Sequence, residues 1–260
     1  MRPPDRSLDG LPAEVKEPLR AYMPEVLELF GSTLEGLVLY GSAARGEYLP
    51  GRSNLNLLFL LATGDAETLR RYGKIHRRWS KEQIVVPLFM TRSEFEASAA
   101  LFPLEFLEMK EHHRLLAGWD PFPGLSVDLR LLPFQVEQGL RSHLLRLRQR
   151  FVEGSGTVEA VTILLPLSLT TLFPCLRGLL RVMGCQAPTA SEAALKEVQS
   201  SLQCDTAAFV EVFNLKRGLI SPGPAEVPRM FVRYVACLEA LVRRVDEWKA
   251  KGVFPKANEK

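Results

Sequence analysis

Apolar positions along the chain fall into two regimes. Between residues 12 and 30, Leu19, Tyr22, Val26, Leu29 and Phe30 recur at helical spacing, so an amphipathic helix is expected, stopped at Gly31-Ser32. Two short apolar runs follow, 34–40, which stops at Gly41, and 55–61. Runs of this length, bounded by glycine and polar residues and apolar at nearly every position, predict strands covered on both faces. Residues 66–80 carry Leu69, Tyr72, Ile75 and Trp79 and predict a helix. Residues 84–90 predict a third strand, which Pro87 confines to an edge or a bulge. Thr91 or Ser93 can cap the next helix, with Glu94 and Glu96 near its start, and Pro103 opens another over 104–111.

The densest turn signal is Trp119-Asp120-Pro121-Phe122-Pro123-Gly124, which sets the expected domain boundary at 1–124 and 125–260. Beyond it the period is helical throughout. A long helix over 130–152 aligns Leu140, Leu144, Leu147 and Phe151. An uncharged helix begins near Ala160, and Ser191 and Asp205 are expected to cap two shorter ones. The last helix carries Phe231, Tyr234, Leu238, Leu241, Val245 and Trp248 after the Pro222-Gly223-Pro224 break. The expected class is α+β: a mixed sheet with helices, then an all-α antiparallel bundle.

Composition narrows this picture without changing it. With 47% apolar residues in 260, the chain can bury two cores. A net charge of +3 makes nucleic acid an unfavoured partner unless a local basic cluster supplies it. The clearest cluster is Arg141, Arg146, Arg148 and Arg150, on the flanks of an apolar stripe where solvent or acids are the usual neighbours. Four cysteines, at 175, 185, 204 and 237, make no Cys-x-x-Cys and read as reduced, mostly buried thiols of a cytoplasmic protein. The first ten residues lack the apolar core of a signal peptide. Residues 160–176 reach the lower length for a membrane span, but Pro166 and Pro174 interrupt them, and a buried bundle helix is expected instead of a membrane partner.

Chemistry concentrates at Gly41-Ser42, where a strand ends in a turn. Glycine lets an anion approach the backbone, the turn offers free N–H groups, Ser42 adds a hydroxyl, and Arg45 can add a charge-assisted contact. Residues 40–61 read YGSAARGEYLPGRSNLNLLFLL. This stretch resembles the active-site hairpin of the nucleotidyltransferase superfamily, which includes DNA polymerase beta and the aminoglycoside nucleotidyltransferases. The resemblance implies that Gly41, Ser42, Arg45 and Ser53 hold the phosphates of a nucleoside triphosphate. It also implies that the second strand presents two aspartates separated by one residue, and Asn54 and Asn56 fill those positions. A third acid is expected in the strand at 84–90, which contains none.

Two-metal phosphoryl chemistry rests on anionic oxygens, because magnesium dehydrates reluctantly and is held chiefly by carboxylates. Asparagine keeps a carbonyl oxygen and loses the charge. Glu47, Asp65 and Glu82 are the nearest acids that could substitute, and Asp65 is placed to cap the helix after it. The expectation is therefore a degenerate nucleotidyltransferase homologue with no intact catalytic or metal residue that retains nucleotide or phosphate binding. Two alternatives stay open: an active transferase of nucleotidyl groups to a small molecule or protein through atypical ligands, which alone would require Mg2+ and a nucleoside triphosphate as cofactors, and a non-enzymatic interaction or antitoxin-like protein with a protein partner or a homodimer. Arg71 and His76 match a spacing found in the HEPN ribonucleases but stand on the helix between strands, where a chance pair is the simpler account. The pair His112-His113 is read as a solvated helix end instead of a metal site.

Overall fold

The computed structural model describes residues 7–254, and the chain divides into two compact units between Val127 and Asp128. The first unit opens with α1 (Ala13–Phe30), whose buried stripe is Val15, Leu19, Tyr22, Met23, Val26 and Phe30. Strands β1 (Leu34–Tyr40) and β2 (Asn56–Leu61) pair antiparallel, α2 (Ala66–Trp79) follows, and β3 (Leu88–Met90) lies parallel to β2. After α3 (Arg92–Leu101) and α4 (Pro103–Glu111), β4 (His113–Gly118) returns antiparallel to β1, giving the order β3-β2-β1-β4.

Why the strands read as continuous apolar runs is visible in their neighbours. Leu37, Leu39, Leu57, Phe59 and Leu61 pack with the α1 stripe, Tyr72 and Trp79. Val38, Leu58 and Leu60 point the other way, into Phe95, Ala99, Phe106, Met109 and Phe122. Successive residues of a strand face opposite sides, so a sheet covered twice needs apolar residues at every position.

The strand expected at 84–90 is shorter than its apolar run. Ile84 makes a lone bridge to Leu55, and the ladder resumes only at Leu88, past Pro87. Pro87 has no N–H to give a ladder, and β3 is an edge strand. The structure corrects the reading of His113: it begins β4 opposite Tyr40 instead of ending a helix. Thr91 caps α3 through a full capping box with Glu94, whose carboxyl those hydrogen bonds hold below the usual carboxylate range.

The second unit is all helix: α5 (Leu132–Glu153), α6 (Val158–Val182), α7 (Ser191–Leu202), α8 (Ala207–Arg217) and α9 (Glu226–Ala250). Helix α6 is its centre and packs on the other four. A Cβ on Gly139 would meet Cys175 Sγ, and His143 bonds Ser168, so α5 and α6 run antiparallel. Lys249–Glu137, Arg141–Asp246 and Arg148–Glu239 likewise run α9 antiparallel to α5. The arginine cluster is thus partly neutralised by acids of α9. Ser191 is the first residue of α7 instead of its cap, and its hydroxyl accepts from buried Arg177 at 3.3 Å. Asp205 does take the Ala207 N–H at the start of α8, at 2.9 Å.

Among the described residues, α6 is the single helix long and apolar enough to cross a membrane, and 67% of its most apolar window is buried inside the protein. That window's apolar character is what a bundle's central helix requires. All four cysteines are thiols, and burial pushes Cys237 up to about 12.

Candidate functional site

The β1–β2 connection begins with one helical turn: the Arg45 N–H donates to the Gly41 carbonyl at 3.1 Å and the Glu47 N–H to the Ser42 carbonyl at 2.8 Å. Gly41 has φ +80°, a left-handed conformation, and a Cβ there would lie 2.8 Å from Asn56 Nδ2. Only glycine suits both the dihedral and the close approach. The sequence therefore places Gly41, Ser42 and Asn56 together at one end of the sheet.

Ser53 is tied into the loop. It is buried, its hydroxyl accepts the Leu49 N–H at 3.1 Å, and its own N–H donates to the Leu49 carbonyl at 2.8 Å. These bonds close the loop that delivers the chain to β2. Asn54 is exposed just before that strand, and Asn56 is its first residue.

Tyr40 is the cross-strand partner of both Asn56 and His113, so the three share one face of the sheet, the face covered by α3 and α4. Burial pushes the Tyr40 phenol up to about 12. The His113 ring lies 4.2 Å from that of Phe122, with Nε2 3.2 Å from Asp120 Oδ2 and Nδ1 facing the Met109 carbonyl at 3.1 Å. It is a strut between β4, α4 and the 119–124 turn.

Arg45 is where the structure adds most. Its Nη1 lies 3.4 Å from Glu108 Oε2 of α4 and its Nε 3.6 Å from Glu47 Oε2. Only 12% of the arginine side chain and 8% of that of Glu108 are exposed. The charge expected to meet an anion is already held between two carboxylates. Glu108 follows Leu104 by four residues on the buried side of α4, and that relation was the available signal for it.

Neither Asp65 nor Glu82 reaches this place. Asp65 caps α2, accepting from the Thr68 N–H at 2.9 Å and from the Thr68 and Thr63 hydroxyls, and those bonds lower its pKa. Glu82 ends a short 3-10 turn ahead of Ile84. Arg71 bonds Thr68 and His76 stacks on Tyr72, so they build no joint site. The segment expected to supply a third acid shows Val86, 66% exposed, and Leu88, 39% exposed. Among the described residues no three of His, Cys, Asp and Glu gather in a way that could hold a metal ion. The donor set at the sheet end does not fit two magnesium ions: the side chains of Asn54 and Asn56 are amides, the second with its nitrogen toward Gly41, and bring no anionic oxygen.

No family model matches the chain, and no curated protein matches it. Among solved structures it is similar to the crystal structure of spectinomycin adenyltransferase AAD(9) from Enterococcus faecialis with ATP and spectinomycin. The TM-score is 0.56 at 10% identity, over 88% of this chain and 98% of that one. The two chains share a fold. At such identity the likeness speaks for architecture, a mixed sheet with helices followed by an all-α bundle, and leaves each residue of the site to be argued from its own chemistry.

Proposed function

We infer that this chain is a degenerate nucleotidyltransferase-fold protein that binds the phosphates of a nucleotide at the Gly41 turn without two-metal catalysis. The observation that carries the reading is Asn56, whose amide nitrogen stands against Gly41 at the strand end where the resemblance expects a carboxylate. An N–H donor at that place favours an anion directly, where a carboxylate would favour a cation that in turn holds the anion. The open N–H groups of the turn, the Ser42 hydroxyl and the Arg45 guanidinium supply the remaining contacts in this reading. The bound ATP of the similar adenyltransferase supports a nucleoside triphosphate as the ligand class.

Calorimetric titration of the full chain with each nucleoside triphosphate, with magnesium and then with chelator, tests this. Binding that survives chelation is the expected result. Binding found only with magnesium, together with release of pyrophosphate in the presence of an acceptor, would replace it with an active transferase using atypical ligands.

A second reading rests on α6, where Ile163 is 71% and Leu167 46% exposed, four residues apart on one helix face. Such a pair suits a protein partner or a second copy of the chain. Under that reading no triphosphate binds, and the sedimenting mass exceeds that of one chain.

A further inference from the structure

The Arg45–Glu108 pair joins residues 63 apart in sequence and holds the Arg45 guanidinium of the Gly41 turn away from solvent. Its two members differ in how they are fixed. Glu108 belongs to the middle of α4, flanked by the buried Leu104, Phe106 and Met109, whereas Arg45 sits in a single turn between glycines at 41 and 46. If one partner moves, it is the arginine. We propose that Glu108 sets the affinity threshold of the anion site: an internal carboxylate that competes for Arg45, so that only an anion with contacts to spare, such as a triphosphate, displaces it measurably. The inference rests on the phosphate-binding reading given above.

The argument is one of differential charge. A carboxylate brings one negative charge and two oxygens; a triphosphate chain brings three or four charges and engages Arg45, Ser42 and the turn's N–H groups at once. A monophosphate or a small carboxylate gains too little to break an ion pair whose side chains are about nine-tenths buried. Because the apparent affinity of any ligand falls by the fraction of molecules with Arg45 released, the pair penalises all anions equally, and only those with contacts to spare bind measurably. Glu47, also within 4 Å of the guanidinium, deepens the same competition.

The variant that tests this is Glu108→Gln, which keeps the shape of the side chain and an acceptor for Arg45 while removing the charge. The probes are inorganic tripolyphosphate and inorganic monophosphate, titrated calorimetrically into the full chain with chelator present. Expected is roughly a tenfold or larger gain in affinity for both, with monophosphate binding becoming measurable. The gain should vanish when Arg45→Gln is added. Near-ultraviolet circular dichroism reports whether Glu108→Gln is folded. If it is not, Glu108→Asp, which withdraws the carboxylate by one methylene, is expected to give a smaller gain of the same sign. Wild-type tripolyphosphate binding with no gain in the variant would overturn the role of Glu108 and leave the phosphate site standing. No binding of either probe to either protein would overturn both, and binding by Glu108→Gln alone supports the competition in its strongest form.

Discussion

Arg45 and Arg177 are both nearly or wholly buried, and they are held in opposite ways. Arg177, in the last turns of α6, is 0% exposed and donates from Nε to the Pro188 carbonyl at 3.0 Å and from Nη2 to the Thr189 carbonyl at 2.7 Å. Its guanidinium also lies 5.4 Å from the Phe173 ring. Backbone carbonyls of a connector cannot leave without unfolding the connector, so this arginine is a structural rivet between α6 and α7. Arg45 instead faces two side-chain carboxylates from a turn, and under the phosphate-binding proposal a ligand exchanges with them. The first arrangement is for stability; the second leaves a charge that chemistry can still use.

Replacing Arg177 by Leu should sharpen the contrast most. The variant leaves the Pro188 and Thr189 carbonyls and the Ser191 hydroxyl without that donor, a loss of about 3 kcal/mol at roughly 1.5 kcal/mol for each hydrogen bond from a charged group to those carbonyls. Arg45→Gln, which can still donate to Glu108, should cost about 1–2 kcal/mol. Urea unfolding monitored separately by Trp fluorescence and far-ultraviolet circular dichroism measures both. Equal losses in the two variants would end the distinction between rivet and exchangeable contact.

The bundle has a second buried polar element to set against the turn. His143 Nε2 lies 2.8 Å from Ser168 Oγ, which lies 3.2 Å from Tyr234 Oη, linking α5, α6 and α9. Burial, with the nearby charge of Arg146, pulls the histidine down from 6.5 to about 4. Above pH 6.5 both folded and unfolded chains carry it neutral and its contribution is complete. Between pH 6.5 and 4 the unfolded chain takes up a proton that the folded chain refuses, so stability falls; below 4 the contribution no longer changes. The loss is on the order of 3 kcal/mol. A pH series of urea midpoints should show this slope, and His143→Gln should flatten it. A slope that persists in the variant would place the titrating group elsewhere.

How much of this could be read from residues alone follows the locality of each contact. Strands β1 and β2 were legible because both faces are covered, which forces an uninterrupted apolar run. Strand β4 was not. It offers only Leu115, Leu116 and Ala117 between a polar start and Gly118, and it pairs with β1 more than seventy residues upstream. That missing strand also hid the meaning of His113. At the site, Gly41, Ser42 and the two asparagines were legible as a motif, because a tight turn constrains residue types locally. The partner of Arg45 was not, since a glutamate among Leu104, Phe106 and Met109 announces burial without saying against what. Ser53, expected at the phosphates from the resemblance, also closes the loop, a local task its hydroxyl performs by accepting the Leu49 N–H and one the resemblance did not indicate. Burial of Arg177 depends on a connector with no periodicity, so nothing in α6 itself foretold it.

The turn can be probed directly through its glycine. Gly41→Ala puts a side chain at φ +80° and within 2.8 Å of Asn56 Nδ2, and should cost about 1–2 kcal/mol. The steric share of that cost should disappear in an Asn56→Ala background, while the share due to φ remains. A thermal-unfolding double-mutant cycle separates them. Strict additivity of the two variants would show that Asn56 swings clear of the turn, and the amide donor would lose its place in the site.

The smallest effect on stability, and the most telling for chemistry, is expected from Asn54→Asp combined with Asn56→Asp. Two like charges at one strand end should lower the stability of the metal-free protein by less than about 1 kcal/mol, since Asn54 is exposed and water screens it. Millimolar magnesium should restore that loss, because the pair now offers the anionic oxygens the cation requires. Nucleotidyl transfer should nevertheless stay weak: the segment expected to carry a third carboxylate presents Val86 ahead of β3 and Leu88 within it. Vigorous magnesium-dependent turnover would mean that an acid outside β3 completes the set. Glu47 and Glu108, already drawn to this end of the sheet by Arg45, would then be the first to replace, and a Glu108 that ligates metal once its partner binds phosphate would turn the exchangeable ion pair from a barrier to binding into a reserve of ligands.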